Sequence, residues 1–213
     1  MPKLDLSIVI VSWNVWDLLR ACLQSIETAT RAAKGKDTPQ QRSFGPPGDE
    51  RFLEVVVVDN ASDDATAELL PSRFPWVRLI RSEENLGFTA GNNLGYAASS
   101  GQHIFFLNPD TELVPGDGGG ESLWLLFAAL ADEEEVAMVG PQLRYADGSW
   151  QNNRRRFGRP PTGFAESTWL GKVPLVARQM GWYYMLDWPA SFAHASTGWW
   201  VRRCLPGAMR WRQ

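Results

Sequence analysis

The chain has 213 residues, 44% hydrophobic and 21% charged, so it has the composition of a globular protein able to bury a substantial core. Its formal net charge of −3 gives no global electrostatic reason to bind nucleic acid or an anionic membrane. Two cysteines and two histidines are too few and too scattered for a zinc site or a disulfide framework. No secretory signal or membrane-spanning run is recognisable, which predicts a soluble cytosolic protein.

Short apolar runs alternate with segments of helical period over the first two thirds of the chain. The apolar runs predict strands at residues 6–11, 53–58, 77–80, 103–107 and 136–140. The helical segments lie at residues 15–26, from 62 to about 71, at 89–100 and at 121–132. Strands without polar alternation are typical of a parallel sheet covered on both faces. The repeated order of strand and helix therefore predicts an α/β doubly wound, mostly parallel sheet with helices on both faces.

The connections between these elements carry three further predictions. Residues 34–50 are rich in proline, glycine and charge, and they predict a long surface loop that the fold can lose. Residues 115–121 predict a flexible joint before the fourth helix. Ser62, followed by Asp63 and Asp64, is predicted to be the N-cap of the second helix.

Polar side chains follow three of the predicted strands at the points where the strands end. They are Ser12, Trp13 and Asn14 after the first strand, Asp59 and Asn60 after the second, and Asn108 and Asp110 after the fourth. In open α/β sheets, ligands bind outside the carboxyl ends of the strands. These three polar ends on one rim therefore predict a single binding site.

Asp110 and Glu112 come directly after the fourth predicted strand. Pro109 cannot donate to a sheet and holds the preceding residue extended, so strand pairing ends there. In an extended stretch, residues two apart face the same way, so both carboxylates point to one side. Such oxygen ligands suit Mg²⁺ or Mn²⁺, whose remaining positions are filled by phosphate and water. The alternative interpretation is an ordinary solvated strand end.

Asp59 and a row of glycines each allow two interpretations. Asp59 either accepts hydrogen bonds from a nucleotide base or ribose, or is a turn residue that caps the next helix together with Asn60. Gly87, Gly91 and Gly95 share one helical face, where glycine costs about 1 kcal/mol each relative to alanine. Something must therefore approach that face closely, and packing against the sheet is favoured over a ligand backbone.

A run of three arginines, Arg154, Arg155 and Arg156, follows a turn-like Asp147-Gly148. Guanidinium groups suit the recognition of phosphate because their donors match its oxygens in pairs. The alternative is a solvated charge run, which is the commoner outcome for such a cluster. The run is therefore a candidate phosphate-binding segment.

Six motifs in order resemble the donor-binding half of a family 2 glycosyltransferase with the GT-A fold, close to bacterial rhamnosyltransferase-like members. They are "SIVIVSWN", "VVVVDNASDD", "ENLGFTAGNN", "FFLNPDTEL", "VAMVGPQL" and "DGSWQNNRRRF". The resemblance covers about residues 5–188 and implies one nucleotide-sugar-binding domain over residues 1–188. A single such motif is weak evidence, whereas the ordered set is specific.

The resemblance implies a donor site with a metal beside it. The implied donor-binding residues are Ser12, Trp13, Asn14, Asp59, Asn60, Gly91, Asn92, Asn108, Arg155 and Arg156. The Asn108-Pro109-Asp110 sequence replaces the family's Asp-x-Asp, which leaves Asp110 to contact Mg²⁺ or Mn²⁺ through the donor diphosphate. Glu112 is outside the shared pattern, and its place in the metal site is an inference from spacing alone.

The implied reaction transfers a hexose or deoxyhexose, such as rhamnose, from a nucleotide diphosphate sugar to an acceptor hydroxyl, with inversion. The acceptor would be a glycan or lipid-linked glycan in cell-surface polysaccharide synthesis, with peripheral association at the inner face of the membrane. A receiver-type signalling domain needs acids after its first strand, where this chain has Ser12-Trp13-Asn14. A nucleotidyltransferase usually opens with a glycine-rich basic loop that this chain lacks.

The resemblance ends where relatives carry their general base. No Asp or Glu follows Asp187, and residues 189–213 predict an irregular tail rich in Trp and Arg, truncated or frame-shifted. Asp187 is the substitute candidate for the base. The competing hypothesis is a non-catalytic chain that binds a nucleotide sugar and lacks the base.

Overall fold

The computed structural model describes residues 4–33, 40–114, 121–131, 136–156, 162, 164–165, 167–169, 173–187 and 204–211. The strands are β1 Leu6–Ser12, β2 Arg31–Ala32, β3 Arg42–Phe44, β4 Arg51–Asp59, β5 Val77–Arg81, β6 His103–Phe106, β7 Thr111–Leu113, β8 Gly140–Arg144, β9 Trp150–Gln151 and β10 Cys204–Trp211. The helices are α1 Trp16–Ala29, α2 Thr66–Arg73, α3 Gly87–Ala98, α4 Glu121–Ala131 and α5 Pro174–Tyr183. The chain forms two compact units, residues 1–124 with 210–213, and residues 125–209.

A mostly parallel sheet organises the first unit and confirms the α/β class predicted from the sequence. The order β2-β3-β4-β1-β6 forms the sheet, and β5 also pairs with β4. Strand β4 is parallel to β1 on one edge and to β5 on the other. Strand β1 is parallel to β6 as well. Only β2 and β3 run antiparallel, along the part of β4 that β5 leaves open.

The core lies on both faces of this sheet, as expected for strands that carry no polar alternation. The four consecutive valines of β4, Val55 to Val58, are completely buried. Helix α1 covers one face with its stripe of Leu19, Cys22, Leu23 and Ile26, all fully buried. The helix predicted over residues 15–26 is therefore confirmed as α1, Trp16–Ala29.

The glycines of α3 allow the helix to lie directly on the sheet. A Cβ atom added at Gly91 would lie 2.9 Å from Val11 Cγ1. One added at Gly95 would clash with Val9 Cγ1 and lie 3.2 Å from Val58 Cγ2. Close packing against the sheet is thus the interpretation that the structure supports for these two glycines. Gly87 has a different role, because it adopts φ +75° at the start of the helix.

The predicted surface loop over residues 34–50 needs a correction. Residues 34–39 lie outside the described residues, but Arg42–Phe44 form β3 and all three are buried. The Arg42 guanidinium donates to Glu27 O at 2.9 Å and to Thr30 O at 3.1 Å, and so binds carbonyls that the end of α1 leaves without helical partners. Residues 42–44 are therefore part of the core, and the prediction of a surface loop was wrong for these three residues. That the fold can lose the rest of the segment stays a prediction.

Three other predicted boundaries change. Residues 136–139 are not in a strand, and β8 begins at Gly140, so most of the fifth predicted strand was wrong. Helix α2 begins at Thr66 with no side-chain N-cap, so Ser62 is not its cap. Residues 204–211 form β10, so this part of the predicted irregular tail is extended strand. The flexible joint predicted before the fourth helix lies at residues 115–121, of which 115–120 are outside the described residues. The part of the predicted irregular tail up to residue 203 is outside them as well.

The second unit contains a small sheet and helix α5. Strand β8 pairs antiparallel with β9, with Leu143 opposite Gln151 and Arg144 opposite Trp150. Strand β10 is next to β8 in the same sheet. The Arg144 guanidinium carbon lies 3.8 Å from the centre of the Trp150 ring. None of the helices in the described ranges has the length and apolarity needed to cross a membrane.

Candidate functional site

Three parallel strands of the first unit, β1, β4 and β5, end side by side at the same edge of the sheet. The strand register places Ser12 of β1 opposite Asp59 of β4, and Asp59 opposite Arg81 of β5. Backbone hydrogen bonds continue past the strand ends, from Asn60 N–H to Ser12 O at 2.8 Å and from Ser82 N–H to Asp59 O at 2.9 Å. The predicted meeting of the first two polar ends on one rim is therefore what the sheet produces.

Strand β6 brings the third polar end to the same sheet. Leu107 N–H donates to Val9 O at 2.9 Å, which extends the pairing of β6 with β1 by one residue. The chain leaves the sheet at Asn108, one residue before Pro109. Asn108 O then accepts hydrogen bonds from Thr111 N–H at 3.2 Å and Thr111 Oγ1 at 2.7 Å, so a turn carries Asp110.

Arg81 is the rim residue that the sequence reasoning missed. It is exposed, carries a positive charge and follows the apolar run of β5 in the same way that Asp59 follows the run of β4. That position was the available signal, since the rule that ligands bind at strand ends applies to every parallel strand. The rim therefore presents a carboxylate and a guanidinium on neighbouring strands.

Asp59 and Ser12 are the buried members of the rim. Asp59 is 2% exposed, and its Oδ1 accepts a hydrogen bond from Ser62 N–H at 3.2 Å. That bond orders the turn after β4, but α2 begins only at Thr66, so Asp59 does not cap the helix. Ser12 is fully buried, and its Oγ has no hydrogen-bond partner in the described part of the chain.

Asn14 connects the loop after β1 to the loop after β4. It adopts φ +54°, a left-handed conformation that asparagine tolerates better than most residues. Its N–H donates to Ser62 Oγ at 3.0 Å, and its Oδ1 accepts from Asp63 N–H at 2.7 Å. Asn14 therefore shapes the rim through contacts within the protein, and its neighbour Trp13 remains 53% exposed.

Asp64 makes a second connection between the same two loops. Its carboxylate accepts hydrogen bonds from Trp16 N–H and Thr66 N–H, both at 2.9 Å, and so binds the starts of α1 and α2. Burial acts to raise the pKa of Asp64, but the hydrogen bonds from Thr66 and Trp16 outweigh it and leave the pKa below its ordinary value. The carboxylate is therefore charged at neutral pH.

Three of the expected donor-binding residues are tied to the protein itself. Asn60 is 3% exposed, and its amide bonds to the loop before α3. Gly91 is buried against Val11 on the sheet side of α3. Asn92 Nδ2 donates to Phe88 O at 2.9 Å, one turn earlier in the helix. Of these three residues, Asn92 is the one that is partly exposed.

The two candidate metal ligands lie beside a buried thiol. Burial, and then the negative charges of Glu112 and Asp110, raise the pKa of Cys22 above its ordinary value. Cys22 Sγ lies 3.9 Å from Asn108 O, so the turn that carries Asp110 is next to α1. Strand β7 is fixed there by a hydrogen bond from Leu113 N–H to Ser25 Oγ at 2.9 Å.

These carboxylates fit a particular kind of metal site. The described residues contain no group of three or more side chains of the types that hold a metal by themselves. Mg²⁺ needs only one or two carboxylates from the protein when substrate phosphates and water supply the other ligands. Asp110, with Glu112 two residues further on, fits a site that is completed by a bound diphosphate.

In the second unit, Arg156 and Asp187 form a bidentate ion pair. Arg156 Nη1 and Nη2 each lie 2.8 Å from one oxygen of Asp187. Arg156 also donates through its N–H to Tyr183 O at 2.9 Å and through Nη1 to Trp182 O at 2.6 Å, at the end of α5. The pair therefore fastens the segment after β9 to the C-terminus of α5, where a positive charge is favoured.

This pairing bears on the roles expected for the arginines and for Asp187. The hydrogen bonds from Arg156 lower the pKa of Asp187, which makes the carboxylate a weaker base. Arg155 Nη1 donates to Asn152 O at 3.0 Å and to Arg154 O at 2.8 Å, and its guanidinium carbon lies 4.3 Å from the centre of the Tyr184 ring. Both guanidinium groups are thus engaged within their own unit.

Residues 7–185 match the family model described as Glycosyl transferase family 2. The chain belongs to this family, which confirms the resemblance that its motifs carry. It is 25% identical over 154 residues to an uncharacterized glycosyltransferase of Escherichia coli, YibD, covering 69% of this chain and 37% of YibD. It is 33% identical over 111 residues to the N-acetylglucosaminyl-diphospho-decaprenol L-rhamnosyltransferase of Mycobacterium tuberculosis, covering 47% of this chain and 34% of that protein.

Solved structures agree on the fold. The crystal structure of S. aureus TarS 1-349 in complex with UDP matches with a TM-score of 0.51 and 19% identity, covering 73% of this chain and 40% of that chain. The corresponding complex with UDP-GlcNAc matches with a TM-score of 0.50 and 20% identity, covering 73% and 39%. The predicted GT-A-like fold is confirmed. The chain spans about a third of the length of YibD and of the M. tuberculosis rhamnosyltransferase.

Proposed function

We propose that this chain binds a nucleotide diphosphate sugar at the rim formed by β1, β4 and β5, and that it transfers the sugar to an acceptor hydroxyl. The observation that carries the proposal is the row of Ser12, Asp59 and Arg81 on three adjacent parallel strands. In this row a buried carboxylate accepts from a base or ribose, beside a buried hydroxyl and next to an exposed guanidinium. The motif order and the family membership support the same assignment.

Asp110 would hold Mg²⁺ or Mn²⁺, with Glu112 as the weaker candidate ligand and Asn108 beside the donor. When bound, the ion supplies positive charge that stabilises the departing diphosphate. The residues of the chain bind and orient the donor: Asp59 and Ser12 at the nucleoside, and Asp110 at the diphosphate side. The ends of β4, β1 and β6 on one sheet support this division.

In the proposed reaction, the acceptor oxygen bonds to the anomeric carbon as the bond from that carbon to the diphosphate breaks. Attack from the opposite face inverts the configuration, and the transition state is oxocarbenium-like, as in related glycosidic chemistry. The hydroxyl proton passes to a general base. The similarity to an N-acetylglucosaminyl-diphospho-decaprenol L-rhamnosyltransferase supports a deoxyhexose among the hexose-type donors and a lipid-linked acceptor. Peripheral association at the inner membrane face is part of the same proposal.

A second candidate function is binding of a nucleotide sugar without transfer. The observation that favours it is the Arg156–Asp187 pair, because it occupies and weakens the substitute candidate for the base. Under this hypothesis the donor site binds normally and turnover is slow or absent.

Thermal unfolding with a panel of nucleotide sugars, each with and without Mn²⁺, tests the binding site. A ligand at 100 times its dissociation constant adds about 2.7 kcal/mol to the free energy of unfolding. For a chain of this size that corresponds to a rise in Tm of roughly 5–10 °C. We expect such a rise with a nucleotide diphosphate sugar of the panel and Mn²⁺.

Matched carboxylate variants locate the site. Asp110→Asn should remove the Mn²⁺-dependent part of the shift, and Asp59→Asn should reduce the shift with or without metal. Asp49→Asn is the control, because Asp49 is exposed and pairs with Arg51 at the other end of β4. A shift that survives in both site variants, or that disappears in the control, would contradict the proposed site.

A further inference from the structure

The loop between β5 and α3 is held by an asparagine from a different strand end. Asn60 Nδ2 donates to Asn85 Oδ1 at 2.8 Å, and Asn60 Oδ1 accepts from Leu86 N–H at 2.9 Å. Asn85 Oδ1 also accepts from Gly87 N–H at 2.9 Å, so one amide oxygen joins the two segments. Asn60 itself is fixed to β1 through its N–H.

These contacts bind the N–H groups at the start of α3 that the side chain of an N-cap residue commonly binds. Helix α3 has Leu86 at its N-cap position, and the apolar Leu86 side chain makes no capping hydrogen bond. A helix start leaves N–H groups without helical partners, and a capping side chain normally binds some of them. Here Asn85 binds Gly87 N–H and Asn60 binds Leu86 N–H, so the start of α3 depends on two amides rather than on a cap.

We infer that Asn60 and Asn85 are positioning residues that set the place of the α3 N-terminus relative to Asp59. Asn60 is adjacent to Asp59 in the chain and is 3% exposed, with both polar atoms of its amide in use. It therefore acts on a bound nucleotide through the loop rather than by contact. The inference rests on the proposed nucleotide site, and it changes the role of Asn60 from donor-binding residue to support.

The consequence is a coupling between two parts of the rim. The residues that follow the pair, Gly87 to Ala90, are exposed at the start of α3. The packing of Gly91 and Gly95 on the sheet holds the body of α3, whereas both amides hold the loop that leads into residues 87–90. Removing either amide releases the same loop, so removing the second should add little, and the two substitutions should not act independently.

A double-mutant cycle tests this coupling. Nucleotide affinity is measured by titration calorimetry with a UDP sugar and Mn²⁺ for Asn60→Ala, Asn85→Ala and the double variant. We expect each single variant to weaken binding about tenfold and the double variant to remain near tenfold. If Asn60 instead contacted the ligand independently of Asn85, the losses would multiply to about a hundredfold, and that result would overturn the inference.

Asn60→Asp tests the chemistry of the pair, because the carboxylate can accept from Leu86 N–H but cannot donate to Asn85. Its affinity should fall between those of the wild type and Asn60→Ala. Thr28→Ala is the control, since it removes an exposed side-chain hydrogen bond within α1. Its affinity should be unchanged, as should the order of the loop at residues 82–90.

Hydrogen exchange of the backbone amides at residues 82–90 separates failure of this inference from failure of the proposed function. Faster exchange there in Asn60→Ala and Asn85→Ala, with similar Tm values, supports the positioning role even if no nucleotide binds to the wild type. Absence of nucleotide binding would refute the proposed function alone. Unchanged exchange at these amides would refute the positioning role.

Discussion

Asp64 illustrates how one carboxylate orders the rim at the residue scale. It accepts two backbone N–H groups that begin different helices, and the sequence placed it only in the first turn of the second helix. Such charge-assisted hydrogen bonds also explain why its pKa lies below the ordinary value despite partial burial. The residue supports the site without belonging to it.

The first prediction concerns Asp64→Asn. At pH 7 this change should lower the free energy of unfolding by about 1–3 kcal/mol, because an amide replaces a charged acceptor of two N–H groups. A depressed pKa in the folded state stabilises the protein above the ordinary value of 3.8, and this stability is lost as the pH falls through the folded-state pKa. Urea unfolding at a series of pH values measures both effects.

The difference between wild type and Asp64→Asn should therefore shrink below pH 3.8. Asp63→Asn is the control, because the neighbouring side chain is exposed. It should change the free energy of unfolding by no more than about 0.5 kcal/mol, as expected for a surface substitution. A difference that stays constant with pH would contradict the assigned role of the Asp64 carboxylate.

The second prediction concerns Cys22, whose thiol is buried and whose pKa is raised by burial and by Glu112 and Asp110. The thiolate is the reactive form, so the folded protein should react very slowly with a thiol reagent at pH 8. A Cys204→Ser background leaves Cys22 as the only thiol. Rapid labelling in the native state, at the rate seen in denaturant, would show that α1 does not bury this residue.

At the element scale, β3 decides whether the segment before β4 belongs to the core. Phe44 is 1% exposed, and its ring centre lies 6.5 Å from that of Trp124. The Arg42 guanidinium carbon lies 4.6 Å from the centre of the Trp76 ring, and the guanidinium binds the end of α1. The short strand β3 thus connects the edge of the sheet to α1 through Arg42 and to Trp124 through Phe44.

The third prediction is that Phe44→Ala lowers the free energy of unfolding by about 3–5 kcal/mol, the usual cost of removing a buried aromatic side chain. Phe88→Ala is the matched control, because Phe88 is 66% exposed. That control should change the free energy of unfolding by about 0.5 kcal/mol or less. Chemical denaturation of both variants provides the comparison, and equal losses would place Phe44 outside the core.

At the scale of the whole molecule, the proposed donor-binding residues and the candidate base belong to different units. The first unit carries Ser12, Asp59, Arg81 and Asp110, whereas the second carries Asp187 in its pair with Arg156. The sheet of the first unit fixes the strand ends that carry the proposed donor-binding residues. Within the second unit, the candidate base Asp187 is engaged in its own ion pair.

The fourth prediction is that this chain binds its donor better than it transfers sugar. General-base assistance is typically worth 10²- to 10⁴-fold, so we expect the pairing of the candidate base Asp187 with Arg156 to slow transfer more than it affects donor binding. Titration calorimetry with donor and Mn²⁺, beside a radiolabelled transfer assay, measures the two activities. Turnover at tens per second that is lost in Asp187→Asn would contradict the prediction and make Asp187 the base.

Much of the fold and part of the site were predictable from local sequence patterns. The apolar runs placed β1, β4, β5 and β6, and the rule for parallel strands brought Ser12, Asp59 and Asn108 to one sheet. Spacing also indicated that Gly91 and Gly95 face a close neighbour. These features depend on period, burial and backbone conformation, which are properties of short segments and therefore readable in one sequence.

The tertiary structure decided which polar residues are free to meet a ligand. Arg42 and Phe44 are in the core because α1, Trp76 and Trp124 supply partners distant in sequence. Asn60, Arg156 and Asp187 are engaged with partners 25 to 31 positions away, which no local pattern specifies. The residue type determines which donors and acceptors a side chain has. Which partners those groups bind depends on the segments that the fold brings within about 3 Å.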